Sequence, residues 1–427
     1  MISLRNALIA LLLPVLSLQG VHAESSSQRI SITEAGAVSD GTTVNTPVIQ
    51  KAIDDLAAKG GGTLVIPSGV FLSGALDFKP GVHLHLEKDA VLRATTDMSH
   101  FPNRPTRLEG LFVDYTPALV NAERCDGFRL TGEGTLDGNG RKIWDEFWRL
   151  RKASPDPGNF KNMSIPRARI AFISKSRDVR IEGVTFKDSQ FWNLHFYLCQ
   201  NVVVSGARFE VPDDYKQAPS TDGIDLDSTQ DVLVEKCYFS VTDDCVAMKG
   251  TRGPRALEDK ASLPTERVRV RDCVFKRGHA AVTLGSDVNT VRDVIVENCR
   301  VTGPMSVVCF KLRADTPQTY ENIHYRDIVL ESDKGSFLSI QPWGQYIDLE
   351  GMEPPKSIVR NISFTNIKGR FGSFGTIREN PGQTTIEDIR LSDIELNLRN
   401  DKLRTGKVKD LKFDNVSINQ KPFPRKR

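Results

Sequence analysis

The sequence predicts an all-β fold, a right-handed parallel β-helix (a solenoid) with a short N-terminal capping helix. Three observations predict it. A strand-like unit recurs along most of the chain, its spacing has a floor in the low twenties, and one helical segment stands near the N-terminus.

The unit is an Asn, Asp or Arg, then an alternating apolar strand, a polar pair and another apolar position. It reads Asp178-Val179-Arg180-Ile181-Glu182-Gly183-Val184-Thr185-Phe186, and again Asp231-Val232-Leu233-Val234-Glu235-Lys236-Cys237-Tyr238-Phe239. Further copies begin at Asn201, Arg267, Asp293, Asn322, Asn361, Asp388 and Asp410. Val, Ile, Phe and Thr at period two, broken by Gly, Asn and Asp, are strand texture. The step between copies is as short as 22 residues, from Ile389 to Leu411, and as long as 39, from Ile323 to Ile362. A constant floor with irregular additions describes one coil plus loops of varying length, and such units stack. Short strands with about three corners per coil give the right-handed parallel form. Equivalent slots then lie above one another, so Cys237, Cys273 and Cys299 are expected to form an interior ladder.

The segment Thr46 to Lys59 breaks the texture. Val48, Ile49, Ala52, Ile53, Leu56 and Ala57 recur at helical spacing, and Gly60-Gly61-Gly62 stops the run. An amphipathic helix here caps the open end of the solenoid, which would otherwise pair with other chains. No lysine follows the glycines as a phosphate loop requires. Strands resume at Gly62–Pro67 and Val82–Leu86.

Residues 1–23 read as a secretory signal peptide. Arg5 precedes the apolar run Ala7 to Ser17, and Val21-His22-Ala23 supplies the cleavage pattern. No cysteine follows that would carry a lipid, and no other segment reaches membrane-spanning length. The mature chain, 24–427, is therefore expected to be one exported β-helix domain, periplasmic or extracellular, and a monomer. With 57 basic and 54 acidic residues mixed along the chain, the net charge is +3, and no basic arm or groove for nucleic acid stands out. The basic end, Lys421 to Arg427, reads as a solvated tail. Seven cysteines form no CxxC and no zinc or iron–sulfur spacing; the odd count leaves at least one free thiol.

The chemistry concentrates in Ser220-Thr221-Asp222-Gly223-Ile224-Asp225, Thr242-Asp243-Asp244 and Gly278-His279. These acids end strand-like runs, and stacked coils bring such positions together. Asp222 and Asp243 are 21 residues apart, about one coil, so one is expected above the other. Asp243 and Asp244 would splay on a regular strand and are expected at a bend. Converging carboxylates suit acid/base cleavage of a glycosidic bond. Asp222, Asp225, Asp227, Asp243 and Asp244 are also hard oxygen donors of the kind that bind calcium.

In order, Ser220-Thr221-Asp222, Asp243-Asp244, Gly278-His279-Ala280 and Lys311 resemble the motifs of glycoside hydrolase family 28, the polygalacturonases and rhamnogalacturonases. Ala35–Gly41, Ile66–Gly69 and Gly134–Gly140 with Trp144 extend the resemblance over nearly the whole mature chain. The resemblance implies a secreted, cofactor-free glycosidase without a metal, acting with inversion on α-linked galacturonate-containing pectic polymers or oligomers. It implies Asp243 as general acid, with Asp222 and Asp244 activating water across a gap of about 6.5–9.5 Å. It gives His279 a hydrogen bond to this cluster or to the substrate, and Lys311 a grip on the sugar. Clustered negative charge is expected to raise one carboxyl and keep it protonated.

Three departures bear on the substrate. Ser220 replaces Asn, Ala280 replaces Gly, and Cys309 stands where the family has the arginine that holds the sugar carboxylate with Lys311. Arg313 shares the side of Lys311 by alternation and is the expected replacement. Otherwise a rhamnogalacturonan or modified galacturonide is the target. The insertion Thr251 to Glu266 would wall one end of the cleft and impose exo cleavage. The alternatives are a rhamnogalacturonan-type hydrolase, a calcium-dependent pectate lyase on the same solenoid, and a non-catalytic glycan-binding β-helix.

Overall fold

The residue that opens each repeat is a left-handed corner. Asp178, Asn201, Asp231, Arg267, Asp293, Asn322, Asn361, Asp388 and Asp410 all have φ between 51° and 59°. Asn and Asp tolerate this region because a short polar side chain bonds locally. The side chains also bond along the stack: Asn322 donates to Asp293 at 2.9 Å and Asn361 donates to Asn322 at 2.7 Å.

The computed structural model describes residues 28–424. The expected signal peptide, 1–23, and the last three residues of the basic tail lie outside the described residues. From Arg29–Ser31 to Val408–Ile418 the strands run in one continuous parallel sheet, each pairing with its equivalent in the next coil. The chain is a right-handed parallel β-helix.

The interior is built from stacked slots. Phe186, Phe209, Phe239 and Phe275 lie face to face at 4.9, 5.0 and 5.1 Å. Such ring pairs add about 0.5–1.5 kcal/mol each beyond their burial. Cys237, Cys273 and Cys299 form the expected ladder, each thiol donating to the carbonyl two residues before it, at 3.2, 3.2 and 3.1 Å. All seven cysteines are buried and free.

The capping helix, α1 (Thr46–Ala58), buries Ile49, Ala52, Ile53 and Leu56 against the first coils. It ends at three glycines with positive φ. A Cβ on Gly62 would come within 2.5 Å of the Gln28 carbonyl oxygen, so that position admits only glycine.

Two additions to the coils were not expected. A second helix, α2 (Arg141–Ala153), follows the Gly134–Gly140 run, so Trp144 sits on a helix rather than on a coil strand. Its buried Ile143, Trp144 and Phe147 recur at three and four residues, a signal hidden by the seven charged residues of the helix. A hairpin pairs Arg104–Leu108 with Leu111–Tyr115, antiparallel and apart from the main sheet. Its two-residue turn, Glu109-Gly110, has positive φ at both positions, the geometry that matches strand twist. Both additions lie over the same face of the solenoid.

Candidate active site

That face is a sheet of five successive strands: Ile224–Asp227, Val246–Lys249, Ala280–Leu284, Ser306–Arg313 and Ser336–Trp343. Alternation sends Ile224, Leu226, Val246, Met248, Val282, Leu284, Val308 and Phe310 into the core. It sends Asp225, Asp227, Lys249 and Lys311 outward, under the hairpin, α2 and the loops beside them. Between them is a cleft of about 310 Å³. Asp222, Asp243, Asp244, His279 and Lys311 all line it.

The corners before these strands carry the acids. Ile224 lies opposite Val246, so one coil here is 22 residues, one more than the expected 21. The Gly223 N–H donates to the Asp244 carbonyl at 2.9 Å, which carries this register back to the corner and sets Asp222 beside Asp244; one residue earlier the step is 21 again, and the Thr221 and Thr242 hydroxyls meet at 3.0 Å. The bend expected at Asp243-Asp244 is present, between strands Tyr238–Ser240 and Val246–Lys249. It leaves Asp243 half-buried in the cleft and Asp244 buried.

Asp244 is a fixed anion. Lys311 Nζ donates to its Oδ2 at 2.7 Å, and His279 Nδ1 lies 2.8 Å from its Oδ1. Burial alone would raise this carboxyl, but the Lys311 charge and the His279 hydrogen bond hold it far below the usual carboxylate range. The same hydrogen bond raises His279, whose backbone N–H also donates to the Asp243 carbonyl at 2.9 Å. Asp222 goes the other way: burial, then the charge of Asp243, push its carboxyl well up. Asp225, with both oxygens buried and no hydrogen-bond partner, is pushed up to about 8, first by burial. One raised carboxyl was expected; burial raises three here, Asp222, Asp225 and Glu109.

One oxygen of Asp243 lies within 4.8 Å of one of Asp244, closer than the expected gap. That spacing falls near the value associated with covalent, retaining glycosidases. Asp244 is nonetheless a poor nucleophile, since both its oxygens are already engaged and it is 1% exposed. The five acids also do not form a calcium cage. Lys249 stands 3.7 Å from both Asp222 and Asp225, Lys311 sits on Asp244, and Arg107 takes Asp227 at 2.9 Å. A divalent cation would meet three protein cations there.

Arg313 does not replace the family arginine. It is 1% exposed, forms a bidentate pair with Asp315 at 2.8 and 2.6 Å, and donates to the Gln345 and Tyr346 carbonyls at 3.0 and 2.9 Å. Alternation placed it on the correct face, but the acid two residues on captures it beneath a loop. Cys309 is also buried, and burial pushes its thiol up to about 11.

Sequence reasoning missed several groups. Lys249 ends a strand, VAMK, whose other residues are apolar. Arg167 is wholly buried between the Phe147 and Phe191 rings and donates to the Pro219 carbonyl at 2.6 Å and Ser220 Oγ at 3.2 Å. It thereby fixes the corner that carries Asp222, and it gives Ser220, at φ 57°, the partner an Asn would find locally. Around the rim, Asn162 donates to Glu109 at 2.8 Å, Arg252 pairs with Asp287 at 3.1 Å, and the Tyr346 hydroxyl donates to the Phe160 carbonyl at 3.0 Å. The hairpin, the loop after α2 and the loop after strand Ser336–Trp343 are thus tied together over one side of the cleft. Of the insertion Thr251 to Glu266, Arg252 lines the cleft.

Residues 58–412 match the family model described as glycosyl hydrolases family 28. A probable polygalacturonase of Vitis vinifera is 25% identical over 379 residues, 86% of this chain and 74% of that protein. An exopolygalacturonase of Zea mays is 25% identical over 363 residues, 82% of this chain and 79% of that protein. Among solved structures, a hyperthermoactive exopolygalacturonase from Thermotoga maritima superimposes with a TM-score of 0.77 at 24% identity, covering 93% of each chain.

Proposed function

The chain belongs to the glycosyl hydrolases of family 28 and is a glycosidase; from that premise we propose that it hydrolyses α-linked galacturonate-containing pectic chains, with inversion and from the chain end. One observation carries the reading: in one cleft Lys311 and His279 contact Asp244 and hold its carboxyl down, while burial pushes the neighbouring Asp222 carboxyl well up. Pairs of acids driven apart in this way divide acid and base roles.

In this reading Asp243, which opens to the cleft, gives the proton to the leaving oxygen. Asp244 accepts the proton of the attacking water, and Asp222 orients that water. With its oxygens bound on both sides, Asp244 acts on water better than on the sugar carbon. Trp343, whose ring lies 4.7 Å from Lys311 Nζ and 6.0 Å from His279, offers an apolar wall beside the bond to be broken. The Tyr346–Phe160 contact supports exo action, because it joins two loops that an interior stretch of polymer would have to pass. The pectic substrate follows the printed activities of the relatives, and export as a single domain follows the reading of residues 1–23.

Reducing-end release from polygalacturonate, with and without EDTA, tests the proposal. Release of monomer or dimer unaffected by EDTA is the expected result. Unsaturated, ultraviolet-absorbing product would replace it with lyase chemistry, and no turnover on any pectic polymer would leave a glycan-binding module. Parallel assays on rhamnogalacturonan identify the sugar.

A further inference from the structure

A sugar acid brings its own negative charge into a cleft already lined by acids, so some cation must receive it. The cleft offers few free ones. Lys311 is committed to Asp244 at 2.7 Å. Arg252 is committed to Asp287 at 3.1 Å and stands 3.9 Å from Glu109. Arg313 is bound to Asp315, away from the cleft lining. Cys309 carries no charge.

Arg151, on α2, donates to the Pro157 carbonyl at 3.0 Å and lies 5.3 Å over the Trp148 ring, away from the acids. Lys249 differs from all of these, standing among the acids on the strand floor. It ends the strand that follows Asp243-Asp244, one coil above Asp227, and lines the cleft floor. Its ammonium lies 4.9 Å over the face of Trp192. The nearest carboxylate oxygens, on Asp222 and Asp225, are each 3.7 Å away, beyond hydrogen-bond distance. The residue is only 5% exposed, so a ligand that reaches it meets a poorly screened charge.

We propose that Lys249 binds the carboxylate of the sugar acid in the cleft and thereby selects charged over neutral sugars. The assignment rests on the pectic reading above, and it fills the charge-matching role that the Cys309 position lacks. Its two acidic neighbours do not cancel it: both carboxyls are raised, and Asp225 keeps its proton up to about pH 8. Asp287 also acts on Lys249, but Arg252 already balances it. Trp192 gives the ring carbons of the same sugar an apolar surface beside the ammonium.

Calorimetric binding of galacturonate and of its uncharged methyl ester tests this in wild type, Lys249→Met and Lys249→Gln. Neither monomer has a bond for the enzyme to cleave, so binding is read without turnover. Wild type is expected to prefer the free acid, and both variants to lose roughly 10- to 100-fold in affinity for the acid with the ester little changed, the loss of one charge-assisted hydrogen bond. Retained ester binding and melting temperature show that the cleft is intact, and the Gln variant serves if Met destabilises the fold. Equal preference in wild type, or an unchanged preference in an intact variant, overturns the proposal. Loss of acid preference in the variants without hydrolysis of polygalacturonate by wild type keeps the Lys249 assignment and overturns the hydrolase reading alone.

Discussion

Asp222 and Asp244 occupy equivalent corners of adjacent coils, yet their carboxyls are driven in opposite directions. The difference lies in what touches each. Asp244 has an ammonium and an imidazole in direct contact, whereas the nearest ammonium to Asp222 stops at 3.7 Å. Burial wins at Asp222, and pairing wins at Asp244.

This split sets the pH profile. A depressed carboxyl stays ionised as pH falls, so Asp244 remains a base far into the acid range. A raised carboxyl loses its proton only as pH rises, so the alkaline limb of kcat reports Asp222. Lys311→Met should bring Asp244 back toward ordinary carboxylate values. The acid limb then moves up towards about pH 4, and kcat falls by about tenfold or more. Rate profiles from pH 3 to 9 check both limbs.

Asp243→Asn should lower kcat by about 10²- to 10⁴-fold, the usual worth of a positioned acid. The half-buried site should leave the melting temperature nearly unchanged. Near-wild-type turnover would remove Asp243 from the acid role.

Inversion is read from the first product. An α-linked substrate should release the β-anomer, seen by proton NMR before mutarotation. The α-anomer would point to a covalent intermediate instead, and the short Asp243–Asp244 spacing would then have been the better guide.

Asp225 should make the fold less stable as pH rises. Its folded-state pKa, about 8, is above the ordinary 3.8, so the unfolded chain releases the proton first. Stability is full below about pH 4 for this group and declines towards pH 8. Lys249, Asp244, Asp243 and Asp227 face it, the ammonium lowering its carboxyl and the three acids raising it. Asp225→Asn should flatten that decline and gain at least about 1 kcal/mol at pH 8. Denaturant melts at pH 5 and pH 8 measure the difference.

Tyr346→Phe removes the hydroxyl that joins the two rim loops. The expected outcome is a shift from monomer towards longer oligomers in early digests of polygalacturonate, with kcat on short oligomers within about threefold of wild type, as one neutral hydrogen bond is worth about 1 kcal/mol. An unchanged product ladder would free the exo reading from this contact.

Much of this was legible in the sequence because solenoid physics is local. A corner needs a left-handed residue, a strand needs alternation, and both recur; hence the repeat starts are the corners, and Asp222, Asp243, Asp244 and His279 converge. What breaks the repeat was harder to read. The hairpin at 104–115 and α2 are insertions whose place over the cleft depends on long-range contacts such as Arg107 to Asp227. Lys249 looked like any strand end, because its meaning comes from Asp222 and Asp225 one coil below. Arg313 was assigned to the right face, while its partner Asp315 stood in plain view two residues away.

The catalytic groups come from four neighbouring coils, and each coil is one strand spacing, about 4.8 Å, from the next. The cleft is therefore graduated like a ruler, with Asp222, then Asp244, His279 and Lys311 on successive marks. Whole coils can be gained or lost beyond Lys311 or before Asp222 without moving any mark, because each coil touches only its neighbours. A coil inserted between them would shift the marks by one full division and separate Lys311 from Asp244. Length in this protein is free to drift at its two ends and is fixed across the middle.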